Sequence, residues 1–148
     1  MNAILKKQKV LCVFIYFLLG MQLSSSCSAV TAASEPTIYL LNVPHYGSRI
    51  ENLTGVILNG LAEDYQIDVY IFVDGWRTKN VEQKNNDGYW ICDITTQNND
   101  WEATHIMVFL FHQDYEVPII KNDKIIPPSL FENAISHKKV IRKPMKNR

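Results

Sequence analysis

"QIDVYIFVD", residues 66–74, decides the fold. Ile67, Val69, Ile71 and Val73 share one face of an extended chain, and Asp68, Tyr70, Phe72 and Asp74 share the other. Successive side chains of a strand point to opposite sides, so this period of two reads as a β-strand with one apolar face and one face mixing aromatics with carboxylates. The same signature recurs on either side of it. "TIYLLNV" (37–43) reads as a first strand ended by Pro44 and the "YGS" turn, and "LTGVIL" (53–58) as a second. "YWICDI" (89–94) follows Asn86-Asp87-Gly88, a hairpin signal because Gly accepts positive φ. "THIMVFLF" (104–111) is an almost unbroken apolar run, expected in a central strand covered on both faces. "VPII" (117–120) is expected at a sheet edge, since Pro118 cannot donate to a ladder. The polar stretch 75–88 reads as a long loop.

Short strands between turn signals point to an all-β chain, a two-layer immunoglobulin-like β-sandwich, whose strand order the pattern leaves open. One short C-terminal helix is expected over "SLFENAISH" (129–137), where Ser129 precedes Glu132 by the capping-box spacing.

The 148 residues, 47% hydrophobic and 20% charged, suit one small globular domain. A formal net charge of zero conceals an uneven distribution. Residues 34–137 hold six Lys and Arg against all fifteen acids, so six less fifteen gives −9. An acidic body repels phosphate backbones, which argues against nucleic acid as a partner. Residues 138–148 carry six bases (Lys138, Lys139, Arg142, Lys143, Lys146 and Arg148) and are expected to form a solvated basic tail beyond a domain spanning 34–137.

Residues 1–33 read as an export signal: Lys6, Lys7 and Lys9, an apolar run from Val10 to Leu19, then small residues. The run is too short to cross a bilayer of ~30 Å as a helix. Cleavage after Ala29, Ala32 or Ala33 satisfies the small-residue rule. A second ending fits as well. "LSSSC" is similar to a bacterial lipobox, in which Cys27 would be lipidated and become the N-terminus, although Ser24 stands where an aliphatic residue is usual. The protein is therefore expected outside the cell or lipid-anchored in a bacterial envelope, touching membrane only through that anchor. Either ending leaves Cys92 as the one thiol of the mature domain, so no internal disulfide is expected and a packed core must supply stability.

Two of the three tryptophans separate by parity. Trp90 shares a face with Cys92 and Ile94, which makes it a core residue. If the strand at 66–74 continues through Gly75, Trp76 joins the face of Tyr70 and Phe72, beside Asp68 and Asp74. Rings interleaved with carboxylates suit sugar recognition, since C–H groups stack on the ring while acids accept hydroxyl protons. The alternative is that these rings pack beneath a loop or the helix. Trp101, in a polar loop, is expected to be exposed. Trp76, Tyr70 and Trp101 are thus the candidate ligand-binding residues, with Asp68 and Asp74 as hydroxyl acceptors.

Chemistry beyond binding has little support. His45, His105, His112 and His137 lie at no metal-ligand spacing, and His105 and His112 fall on opposite parities of one strand. HExxH, G-x-S-x-G and phosphate-cradling glycine motifs are all missing from the sequence. No enzyme, cofactor or metal site is expected.

Taken together, "VPHYGS", "LTGVI", "YQIDVYIFVDGWRTK", "DGYWICDITT" and "NNDWEATHIMVFLF" resemble a bacterial secreted β-sandwich module, of the immunoglobulin-like or carbohydrate-binding-like kind found with extracellular carbohydrate-active enzymes and surface proteins. The resemblance covers roughly residues 38–131 and implies an accessory, non-catalytic role. Arg77 and Asn80 stand where that pattern carries a second aromatic and a proline, and Gln97 and Asn98 replace its glycines. The expected function is contact with extracellular polysaccharide or an envelope component. The rival is a structural or protein-interaction envelope lipoprotein without sugar binding, whose 117–120 edge adds to a partner protein's sheet.

Overall fold

A computed structural model describes residues 34–144. The leader read at 1–33, with Cys27, lies outside the described residues. Eight strands form: β1 (Thr37–Asn42), β2 (Leu53–Leu58), β3 (Tyr65–Phe72), β4 (Trp76–Lys79), β5 (Val81–Lys84), β6 (Tyr89–Cys92), β7 (His105–His112) and β8 (Ser136–Ile141), with one helix, α1 (Pro128–Asn133). They assemble into two antiparallel four-stranded sheets, β1-β2-β6-β5 and β4-β3-β7-β8. In immunoglobulin lettering these are ABED and C′CFG. The fold is thus an all-β immunoglobulin-like sandwich with one short helix, as the alternating pattern anticipates.

The layers close on side chains of one parity. Ile67, Val69 and Ile71 of β3 meet Ile38, Leu53, Ile57, Trp90 and Cys92 of the opposite sheet, with Ile106, Val108 and Leu110 of β7 beside them. Trp90 is fully buried. Its indole lies across Gly55, its register partner on β2: a Cβ at position 55 would stand 2.4 Å from Trp90 Cζ2 and 2.7 Å from the Tyr39 carbonyl oxygen. Gly55 therefore interrupts "LTGVIL" because only a bare backbone lets the ring through.

A second core covers the outer face of β4-β3-β7-β8. Tyr70, Met107, Phe109 and Phe111 pack under Ile120, Ile126 and Leu130, all from the connection that leads from β7 to β8. This is why "IMVFLF" is apolar without alternation: β7 is buried on both sides.

Four expectations need correction. The 75–88 stretch is not a loop. The chain turns at Val73–Gly75 into β4 and then crosses to the other sheet at Asn80 to form β5. Four-residue strands with a single apolar residue each, Trp76 and Val81, carry too little apolar periodicity to be recognised. Residues 138–141 are not tail but most of β8, with Val140 opposite Ile106 and Arg142 buried just beyond. Lys138 and Lys139 belong on an edge strand, where charge discourages pairing with another chain.

The 117–120 segment is no free edge either. Thr78 N–H donates to the Ile120 carbonyl at 2.9 Å, Ile120 N–H donates to Thr78 Oγ1 at 2.7 Å, and Ile120 is buried, so it is already used against β4. Finally, α1 ends at Asn133 and starts from Pro127 without a side-chain cap. Pro128 takes the first helical position, which places Ser129 inside the helix rather than at its cap.

Replacing Gly55 by Ala is expected to destabilise the domain by about 2–3 kcal/mol, the upper part of the ~1–3 kcal/mol range for forcing extra volume into a packed core, because both a ring and a backbone carbonyl stand in the way. Urea unfolding followed by Trp fluorescence measures this. An unchanged midpoint would show that the indole moves aside freely.

Candidate functional site

The β3–β4 hairpin sets Trp76 opposite Phe72. Trp76 thus reaches the face of Tyr70 and Phe72 across a turn rather than along one strand. Its ring stands edge-on to Phe72 with centroids 5.3 Å apart, and His105 of β7 lies 6.3 Å away. Its backbone is held by Asp123, through Trp76 N–H to the Asp123 carbonyl at 2.7 Å and the reciprocal bond at 3.2 Å. The side chain remains half-buried.

Beside it runs an open groove of about 380 Å³ across the outer face of β4-β3-β7-β8, within the ~300–1,000 Å³ usual for small-ligand sites. Trp76, Met107, Phe131 and His137 line it together with Lys124 and Lys139, and Ile125 and Ile126 complete the lining. Phe131 of α1 is 43% exposed and meets the His137 ring edge-on at 5.4 Å. Register explains the grouping, because Met107 pairs with Lys139 and Phe109 with His137 across β7 and β8.

Of the five candidate residues, Trp76 alone borders this groove. Tyr70 is fully buried, its hydroxyl donating to the Pro118 carbonyl at 3.2 Å and burial pushing that hydroxyl's pKa up, so it cannot form a platform. Asp68 is partly buried beside it, and its Oδ2 has no hydrogen-bond partner among the described residues. Desolvation pushes its carboxyl up to about 6. Asp74 is exposed in the β3–β4 turn, where Arg77 binds it at 2.8 Å and holds its carboxyl below the usual range. Trp101 is half-buried in the 3₁₀ turn Asp100–Glu102, with the Arg49 guanidinium 3.9 Å over its ring. The groove draws instead on Phe131, His137, Lys124 and Lys139. Phe131 and Lys139 carried no sequence signal, since their positions depend on where α1 and β8 dock.

Several residues around Trp76 and in the DITT segment are engaged in packing and hydrogen bonds. Arg77 follows Trp76 along a strand and so faces the other way, toward Asp100 at 3.4 Å and Asn99 at 3.2 Å. A second aromatic at 77 would not join Trp76 in one platform, so Arg77 removes nothing from it. Lys79 (8% exposed) pairs with Asp100 (3% exposed) at 2.7 Å and also donates to Gln97 at 3.1 Å. Asn98 adopts φ 49°, a conformation that Gly or Asn tolerates, which accounts for Asn where the pattern has glycine. In "CDITT", Asp93 Oδ1 accepts the Thr95 and Thr96 N–H groups at 2.8 and 3.0 Å, and Thr95 Oγ1 donates to the Glu51 carbonyl at 3.0 Å.

Cys92 is buried, its thiol donating to the Asn80 carbonyl at 3.2 Å and pushed up to about 12 by burial, so it is no ready nucleophile. Among the described residues, no group of three His, Cys, Asp or Glu is placed to hold a metal ion. No protein-family model, curated protein or solved structure matches this chain.

Asp68 makes a pH-dependent prediction. Its folded pKa lies above the usual 3.8, so ionising it costs stability as pH rises from about 4 through 6, and the penalty is absent below that window. Asp68→Asn is expected to stabilise the domain by up to about 3 kcal/mol above pH 7, with the gain vanishing near pH 3. Unfolding curves at both pH values check this. An equal gain at both would exclude carboxylate desolvation as its cause.

Proposed function

We propose that this chain is a non-catalytic, exported β-sandwich protein that binds extracellular carbohydrate at the Trp76–Phe131–His137 groove. Its setting is extracellular or envelope-bound, with Cys27 as a lipid attachment point if the lipobox-like ending is used. The observation that carries the reading is the open groove lined by three ring-bearing side chains on an otherwise covered sheet face. Exposed or half-exposed rings held on packed strands and a helix offer flat surfaces for the C–H face of a pyranose at little ordering cost. Phe72 and His105 brace Trp76 from behind, and Phe109 supports Phe131 at 5.1 Å.

A second reading has its own observation. The outer face of β1-β2-β6-β5 presents Tyr39 (57% exposed) and Leu41 (54% exposed), and Tyr39 stands in register with Val56 and, through it, with Tyr89. Such an apolar row suits a protein partner in the envelope.

Affinity electrophoresis of the domain on a panel of plant, fungal and bacterial polysaccharides separates the two. The carbohydrate reading expects retardation by at least one polymer, and its loss in both Phe131→Ala and Trp76→Ala. Phe131 is the cleaner variant because its ring is the more exposed. Retardation unaffected by Phe131→Ala, or abolished by Tyr39→Ala instead, would move the function to the other face.

A further inference from the structure

We infer that the ligand of this groove is an acidic saccharide, a pyranose bearing a carboxylate or sulfate, held by Lys124 and Lys139 while its ring rests against Phe131 and Trp76. The inference rests on the binding role proposed above and adds the charge of what is bound.

Residues 34–144 carry fifteen Asp and Glu against ten Lys and Arg, yet both charged side chains that line the groove are cationic. Several bases elsewhere are already engaged. Arg77 and Lys79 are tied to Asp74 and Asp100, Arg49 lies over Trp101, and Lys84 donates to the Ala62 carbonyl at 2.9 Å and to the Tyr65 carbonyl. The two groove lysines differ. Lys124 Nζ donates to the Asp74 main-chain carbonyl at 2.6 Å, a contact that fixes the ammonium without neutralising it. The Asp74 carboxylate itself is bound by Arg77 at 2.8 Å. Lys139 has no ion-pair partner among the described residues.

The two lysines come from different elements, the loop before α1 and strand β8, and line the same groove as Met107. A neutral glycan would use the rings and leave both charges idle. An anionic substituent would satisfy them through charge-assisted hydrogen bonds, about twice as strong as neutral ones. A cationic ligand would be repelled.

The test uses residues 34–148, which contain every described strand and both cores. Isothermal titration would compare a neutral β-glucan oligomer, an oligogalacturonate and a sulfated oligosaccharide against wild type, Phe131→Ala and the pair Lys124→Gln/Lys139→Gln. Unfolding midpoints confirm that each variant is folded. The expected result is binding of a carboxylated or sulfated oligomer, with Kd raised about tenfold or more by the lysine pair and also raised by Phe131→Ala. Which anionic arm binds identifies the substituent. Binding of the neutral oligomer that depends on Phe131 but ignores the lysines would overturn the acidic assignment and leave the carbohydrate reading standing. Anion binding indifferent to Phe131→Ala would overturn it as unspecific charge attraction. No binding in any arm would overturn both.

Discussion

The passage of the Trp90 indole over the bare backbone of Gly55 is the contact on which the remaining structure depends. It sits where β2 and β6 are paired, and it places the largest fully buried side chain between the two sheets. A tryptophan buries ~150–250 Å², a large share for a core this size and one that no disulfide reinforces. The ring is used for volume rather than polarity, since its Nε1 has no hydrogen-bond partner among the described residues. In antibody domains, a core tryptophan on strand C packs against a B–F disulfide. Here the tryptophan is on β6, in the E position, and a glycine on its neighbour makes room for it.

With the interlayer space filled from one sheet, the other sheet keeps medium-sized residues inside and turns its aromatics outward. β3 and β7 present Ile, Val and Leu to Trp90, and Tyr70, Phe109 and Phe111 to the opposite side. That outer face must then be covered, and the long connection from β7 to β8 covers it. Coverage stops at the β4 and β8 ends, where Trp76, Phe131 and His137 border open space. The groove is thus a consequence of how far the connection reaches.

Legibility in the sequence followed the strength of the local pattern. β3 announced itself by alternation, β7 by its apolar run, and β6 by the Asn-Asp-Gly turn and the parity of Trp90 with Cys92. β4, β5 and β8 stayed hidden because their stability comes from neighbours. Lys79 is an inward residue only because Asp100 meets it, and Lys138–Lys139 looked like tail until Val140 found Ile106. Trp76 was placed on the correct face, though the chain gets there by a hairpin. Parity puts Tyr70 and Asp68 on the outer face but leaves open what lies over it, and for Tyr70 the packed alternative is the one observed. The covering connection, 113–135, has no periodicity that would foretell where it docks.

Selective labelling of the three tryptophan indole nitrogens tests this division of labour most directly. An NMR titration with an acidic oligosaccharide is expected to shift the Trp76 indole signal progressively while Trp90 stays fixed, its indole proton protected from exchange throughout. A Trp90 signal that moves with ligand, or a Trp76 signal that does not move while another tryptophan responds, would contradict the account.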